Sequence, residues 1–130
     1  VQQAINMKYI LSLVLLCSFS FSRAQQSIKL EDIASHVGDS VTVTGKVYGI
    51  KYFESAKAAP TLINIGAAFP NQLLTVVIYG EDRKRLELDP EKTFADADLS
   101  VTGKVELFKG KPQIVVTDKR QLSVLPAKKD

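Results

Sequence analysis

The feature that most constrains this chain is a strand pattern that occurs twice. Val41, Val43 and Val47 alternate with Thr42, Thr44 and Lys46, and Tyr48 continues the polar side. Leu99, Val101, Val105 and Leu107 alternate in the same way with Ser100, Thr102, Lys104 and Glu106. β-branched residues in period two fit a pleated strand with one buried face. Within this pattern, Val43-Thr44-Gly45-Lys46-Val47 returns as Val101-Thr102-Gly103-Lys104-Val105. The match is too short for a tandem-repeat architecture. It reads either as two similarly coiled strands or as convergent strand chemistry. Gly45 and Gly49 sit on the apolar parity, where glycine marks a bulge or a sharp coil. A long strand bent in that way is what a small barrel needs to close.

The remaining segments supply the other elements. Ile28 to Val37 reads as a lead-in helix, with Leu30, Ile33, Ala34 and Val37 at helical spacing and Gly38 as its stop. Glu54 to Pro60 reads as a loop and Thr61 to Ile65 as a second strand. Phe69-Pro70-Asn71-Gln72 reads as a turn. Leu73 to Tyr79 is a third strand, apolar enough for burial on both faces. Glu81 to Leu88 reads as a short helix ended by Asp89-Pro90. After the fourth strand, Lys109 to Pro112 forms a tight loop, Ile114 to Thr117 a fifth strand and Leu122 to Leu125 a closing edge.

The first 24 residues have the order of an export signal. Met7-Lys8 gives a start and a charge, Tyr9 to Leu16 an apolar run, and Ser22-Arg23-Ala24 a small-x-small cleavage site. Val1 to Asn6 precede the only methionine and read as upstream of the true start. A buried N-terminal helix and a lipid-anchored Cys17 are the alternatives. Cleavage after Ala24 predicts a domain over residues 25–125 and a tail over 126–130. Cys17, the one cysteine, leaves with the leader, so no disulfide is available and packing must hold the fold. Lys8 and Arg23 leave too, and the leader has no acid, so the net charge falls from +3 to +1. Bulk charge therefore does not call for a polyanion partner; local clustering would have to supply the attraction.

Three strands, a helix and a two-strand hairpin make the expected fold all-β: a five-stranded OB-fold Greek-key barrel, with a short lead-in helix and a helix between strands three and four. A flat α+β sheet is the rival. Val41 to Val47, Thr61-Leu62-Ile63-Asn64-Ile65-Gly66, Phe69-Pro70-Asn71-Gln72-Leu73, Val77-Ile78-Tyr79-Gly80-Glu81 and Val101 to Val116 resemble the small exported bacterial OB-fold proteins described as nucleic-acid-binding-like. The resemblance runs from about residue 38 to 120. It implies the OB-fold, and nucleic-acid binding as a fold-level expectation.

An OB-fold binds along strands two and three and between the loops joining strands one–two and four–five. Here that surface would draw Lys51, Tyr52, Phe53 and Lys57 from the first loop and Phe108, Lys109 and Lys111 from the second. Lys46 and Tyr48 on strand one, Asn64 on strand two and Tyr79 on strand three complete the candidate set. Lysines neutralise phosphates and rings stack on bases, a mixture suited to single strands. The same residues would also serve as barrel-end caps and a solvated rim. Asn64 would equally satisfy a backbone group, and Phe69 with Pro70 reads as turn packing.

His36 has no cysteine to join it in a zinc site, and no metal is expected. No phosphate-cradling glycine loop, nucleophile elbow or acid/base spacing occurs, so neither a cofactor nor an enzymatic reaction is expected. Two readings remain. One is an exported protein that binds single-stranded nucleic acid or a similar extended polyanion. The other is a periplasmic or secreted module that binds a protein, glycan or small ligand.

Overall fold

The computed structural model describes residues 25–127. The expected leader and the last three residues of the tail lie outside the described residues. The chain is mostly β. Strands β1 (Gln26–Ser27), β2 (Ser40–Tyr52), β3 (Thr61–Ile65), β4 (Leu74–Ile78), β5 (Asp98–Lys104), β6 (Glu106–Phe108), β7 (Lys111–Val115) and β8 (Leu122–Val124) form one sheet in the order β6-β7-β4-β3-β2-β5-β8, with β1 parallel to β2. The β4–β7 pair is parallel and the other pairs along that path are antiparallel.

β2 organises the fold because it serves two partners. Its first part pairs with β5 from Ser40↔Lys104 to Lys46↔Asp98. Its second part pairs with β3, and the register slips between Val47 and Gly49. Tyr48 is the extra residue at that bulge, which bends the strand and turns its ring outward. The two Val-Thr-Gly-Lys-Val segments meet only at their first residues, the pair Val43↔Val101, and run away from that centre in opposite directions. Thr42 and Thr102, one residue from that centre, share a hydroxyl hydrogen bond of 2.8 Å.

Gly45 and Gly103 are explained by crowding above them. A Cβ on Gly45 would stand 2.5 Å from Ile65 Cγ2 and 2.7 Å from Leu30 Cδ2. One on Gly103 would stand 2.6 Å from Ile114 Cγ2. The missing side chains let the core close over both strands. That core contains Val41, Val43, Val47, Ile63, Ile65, Leu74, Val76, Ile78, Leu99, Val101, Ile114 and Val116.

Several boundaries differ from the sequence reading. The lead-in helix is a 3-10 helix, η1 (Leu30–His36), which buries Leu30 and Ile33 but leaves Ala34 and Val37 exposed. At three residues per turn, positions 30 and 33 share a face and 34 rotates off it. The helix expected over Glu81–Leu88 ends earlier, as α1 (Gly80–Arg85), and a further short helix not expected from the sequence, α2 (Pro90–Thr93), follows it, with Glu87 at φ 53° between them. Pro90 opens α2, where its missing N–H is harmless. The fifth strand begins at Lys111, because Lys109 and Gly110, both at positive φ, make a two-residue turn that starts the pairing at once.

No ladder joins β5 to β7 among the described strands, so the sheet is open along that seam. Gln121, at the end of a second 3-10 helix, η2 (Lys119–Gln121), bridges it. Its Nε2 donates to the carbonyls of Thr102 on β5 at 3.0 Å and Val115 on β7 at 3.1 Å. Its Oε1 accepts from the backbone N–H groups of Thr117 at 2.8 Å and Asp118 at 3.1 Å. The Asp118 carboxylate accepts from the Arg120 backbone N–H, and the Asp118 and Gln121 side chains together form a capping box.

Candidate binding face

The outward side chains of β3, β4 and β7 form ordered rows, because the side-chain period is two and the register is set. One row runs Lys51, Leu62, Val77, Val115, is apolar after the lysine, and is covered at Val77, which is buried. The next runs Gly49, Asn64, Thr75, Gln113, Glu106, and is polar after the glycine. Beyond it, Phe108 lies opposite Lys111. The 53–60 loop joins one end of this face and the β6–β7 hairpin stands at the other. The two candidate loops therefore do not meet. They flank a face about five residues, or about 16 Å, long.

At the hairpin end, rings and lysines are open to solvent. Lys109 Nζ lies 5.4 Å from the Phe108 ring centre, and Phe108 is 59% exposed. Lys111 Nζ lies 5.9 Å from the ring of Phe69, which is 73% exposed, and donates to the Pro70 carbonyl. Phe69 is thus not the turn-packing residue expected from its Pro70 neighbour. Its loop, residues 66–73, carries it past the end of β3 and out of the core. Lys46 Nζ sits 5.3 Å over the Tyr48 ring. Both border an open cavity of about 530 Å³ that also touches Lys29, Gly66 and Leu73, so this pair shares the hairpin end through the same loop.

The opposite end uses similar residue types differently. The Arg83 guanidinium lies 4.0 Å over the Tyr52 ring. The same group makes a bidentate pair with Glu91, both bonds 2.9 Å, and donates to the buried Thr61 hydroxyl at 2.9 Å. Only 17% of the Arg83 side chain is exposed. Hydrogen bonding to Arg83 holds the Glu91 carboxyl below the usual glutamate range, and the same bond raises the guanidinium. The charge of Arg83 is matched within the protein, and one face of Tyr52 is taken. Tyr52 and Tyr79 line an open pocket of about 720 Å³ floored by Ala56, Ala58 and Ala59 and rimmed by Glu81, Asp82 and Lys84. Lys51 Nζ lies 4.9 Å over Phe53, and Lys57 is exposed on the loop.

The sequence reading overlooked Phe69, Thr75 and Gln113. Gln113 shares parity with Val115 and was legible once β7 is started at Lys111. Nothing local marked Arg83 as the neighbour of Tyr52. Among the described residues, no group of three His, Cys, Asp or Glu side chains could hold a metal ion, and no helix is long and apolar enough to cross a membrane.

Strand order, the bent first long strand and the parallel β4–β7 pair place the molecule with the OB-like, mostly-β folds. Solved structures agree. In the crystal structure of yeast Stn1 and Ten1, one chain is similar to this one with a TM-score of 0.57 and 14% identity, over 86% of this chain and 69% of that one. A putative aspartyl-tRNA synthetase from Leishmania major Friedlin is similar with a TM-score of 0.50 and 7% identity, over 82% of this chain. This chain spans only 22% of the synthetase's length. At these identities the likeness is one of fold. No family model matches the sequence, and no curated protein matches it.

Proposed function

We propose that this chain is an exported, non-catalytic binding protein whose β3–β4–β7 face takes single-stranded nucleic acid. The observation that carries the reading is the hairpin end, where Phe69 and Phe108 are both exposed and each has a lysine ammonium within 6 Å of its ring centre. Rings stack on any base, and ammonium groups beside them neutralise the phosphates between stacked bases. Lys46 with Tyr48 extends the same surface, and Lys51 and Lys57 would meet the backbone at the far end. Tyr52, backed by Arg83, would offer its remaining face to the pocket it shares with Tyr79. A fold shared with part of an aspartyl-tRNA synthetase is in keeping with a nucleic-acid partner.

The modest charge sets the expected strength. With a net charge of +1 after removal of the leader, few phosphates can be neutralised, so binding should be moderate and should weaken as salt rises. The test is the affinity of the chain beginning at Gln25 for a labelled oligonucleotide of about 12 nucleotides across a salt series. A linear fall of log affinity with log salt is expected. No binding at low salt would overturn the reading. The export part rests on the order of charge, apolar run and small residues before Gln25. Intact mass of the exported protein should start at Gln25, and a product retaining Tyr9 to Leu16 would refute it.

One observation favours a second reading. The tyrosine pocket is lined by two rings and three alanines and rimmed by two acids and one lysine, and without a surplus of positive charge it suits a neutral sugar better than a phosphate. An envelope glycan is therefore the alternative ligand.

A further inference from the structure

The rows that the register defines on this face contain one acid, Glu106. It stands beside the rings and lysines of the hairpin end, where attraction for phosphate is otherwise strongest. Gln113 is its cross-strand neighbour, and Phe108 lies two residues, or about 7 Å, further along the same strand and face. Lys111, opposite Phe108, is the diagonal neighbour. Glu106 is exposed, and it takes part in none of the ion pairs among the described residues.

A carboxylate in that place repels a phosphate chain and offsets the pull of the lysines. Its position relative to the ring gives it a use. On β6 the order is Glu106, then Phe108, then Lys109 at the turn, with the Lys109 ammonium 5.4 Å from the ring centre. A nucleotide stacked on Phe108 with its phosphate toward Lys109 would turn the edge of its base toward Glu106.

The geometry points to Glu106 as a specificity-determining residue that selects guanine at the position stacked on Phe108, an inference that rests on the nucleic-acid reading and deepens it. An ionised carboxylate only accepts hydrogen bonds. The Watson–Crick edge of guanine offers two adjacent donors, N1–H and the N2 amino group, which meet both oxygens of one carboxylate. The O6 beside them takes the NH₂ of Gln113. Adenine and cytosine each present one amino group beside a ring-nitrogen acceptor, so the second carboxylate oxygen would face a lone pair. Thymine presents one N–H between two carbonyls. The amides of Asn64 and Gln113 and the Thr75 hydroxyl both donate and accept, and so answer any of the four bases. Discrimination therefore falls on Glu106.

The experiment uses fluorescein-labelled strands of about 12 nucleotides: oligo-dT, and oligo-dT with alternate positions changed to guanine, adenine or cytosine, in lithium salts so that guanines do not associate. The wild-type chain from Gln25 should bind the guanine strand about fivefold or more tighter than the adenine strand, a comparison that sets purine stacking aside. Glu106→Gln keeps the shape of the side chain and removes its charge. It should bring the guanine and adenine strands within about twofold of each other and, with a repelling charge gone, raise the affinity for oligo-dT. A glutamate with a merely structural role would weaken every strand alike when replaced, and that outcome would overturn the assignment. Equal wild-type affinity for the guanine and adenine strands, or a guanine preference that survives Glu106→Gln, would overturn it too while leaving strand binding intact. Failure to bind any of the four at low salt would overturn the parent reading itself.

Discussion

The two ends of the binding face are built from the same vocabulary and do different things. At the hairpin end, Lys109 and Lys111 sit beside exposed phenylalanines, and neither lysine is matched to a carboxylate among the described ion pairs. At the opposite end, a cation over a ring is part of an internal brace. Arg83 lies on Tyr52 while its charge is held by Glu91 and a buried hydroxyl. A ring with a nearby cation is therefore no marker of a ligand site by itself. What separates the two cases is whether the cation already has its anion. Matching the charge within the protein removes its attraction for an outside phosphate and converts the contact into stability.

The largest effect should come from the spine that both ends share. Gly45→Val would force a side chain into Ile65 and Leu30 and should destabilise the fold by about 3 kcal/mol, lowering the denaturant midpoint. If both ends depend on this spine, the variant should lose the Tyr52–Arg83 brace and oligonucleotide binding together. An unchanged midpoint would show that the core yields easily at this point.

Next in size is the brace. Arg83→Met removes the pair with Glu91 and the bond to buried Thr61, and should cost about 2 kcal/mol with the salt slope of binding unaltered. The pH dependence follows from Glu91, whose folded pKa is depressed. Its stabilisation is complete above the unfolded glutamate value of about 4 and is lost as pH falls through the lower folded value. Wild-type stability should decline in that acid window more steeply than that of Arg83→Met. Parallel curves would show that the pair contributes nothing.

Smaller again is the ring. Phe69→Ala should weaken oligonucleotide binding by about 1 kcal/mol and leave thermal stability unchanged, since the side chain is solvent-exposed. A loss of stability without a loss of affinity would make Phe69 a packing residue after all. The finest distinction is in the salt series. Lys111→Ala should lower the slope by about 0.7, whereas Arg83→Met should not move it. Equal slopes for both would erase the contrast between the two ends.

How much of this was legible in the sequence depends on the range of the interaction. The alternation in Val41–Val47 and Leu99–Val105, the strand Thr61–Ile65 and the loop at 54–60 are recorded in local period and turn chemistry. The early end of α1 was missed because Leu86 and Leu88 suggest continuity, while the left-handed Glu87 ends it. The glycine echo was visible, but its cause was not: Leu30, Ile65 and Ile114 arrive from elsewhere in the chain. The same holds for the site. Lysines and rings in both loops could be counted, but that Arg83 stands over Tyr52 and Lys111 over Phe69 is decided by tertiary placement. Asn64, Thr75 and Gln113 become a row only once two registers are known.

The bridge made by Gln121 has a mechanical consequence. The β6–β7 hairpin is fastened along one margin by the ladder to β4, and along the other by the packing of Ile114 over Gly103 and the hydrogen bonds of a single amide. It is a flap with a hinge on one side and a clasp on the other. The clasp carries no charge, so neither salt nor ordinary changes of pH loosen it. Hydrolysis of that one amide to a carboxylate would replace its two donors with an anion facing the Thr102 and Val115 carbonyls. The flap, with Phe108, Lys109 and Lys111 on it, would then be held toward β5 by the packing of Ile114 over Gly103 alone.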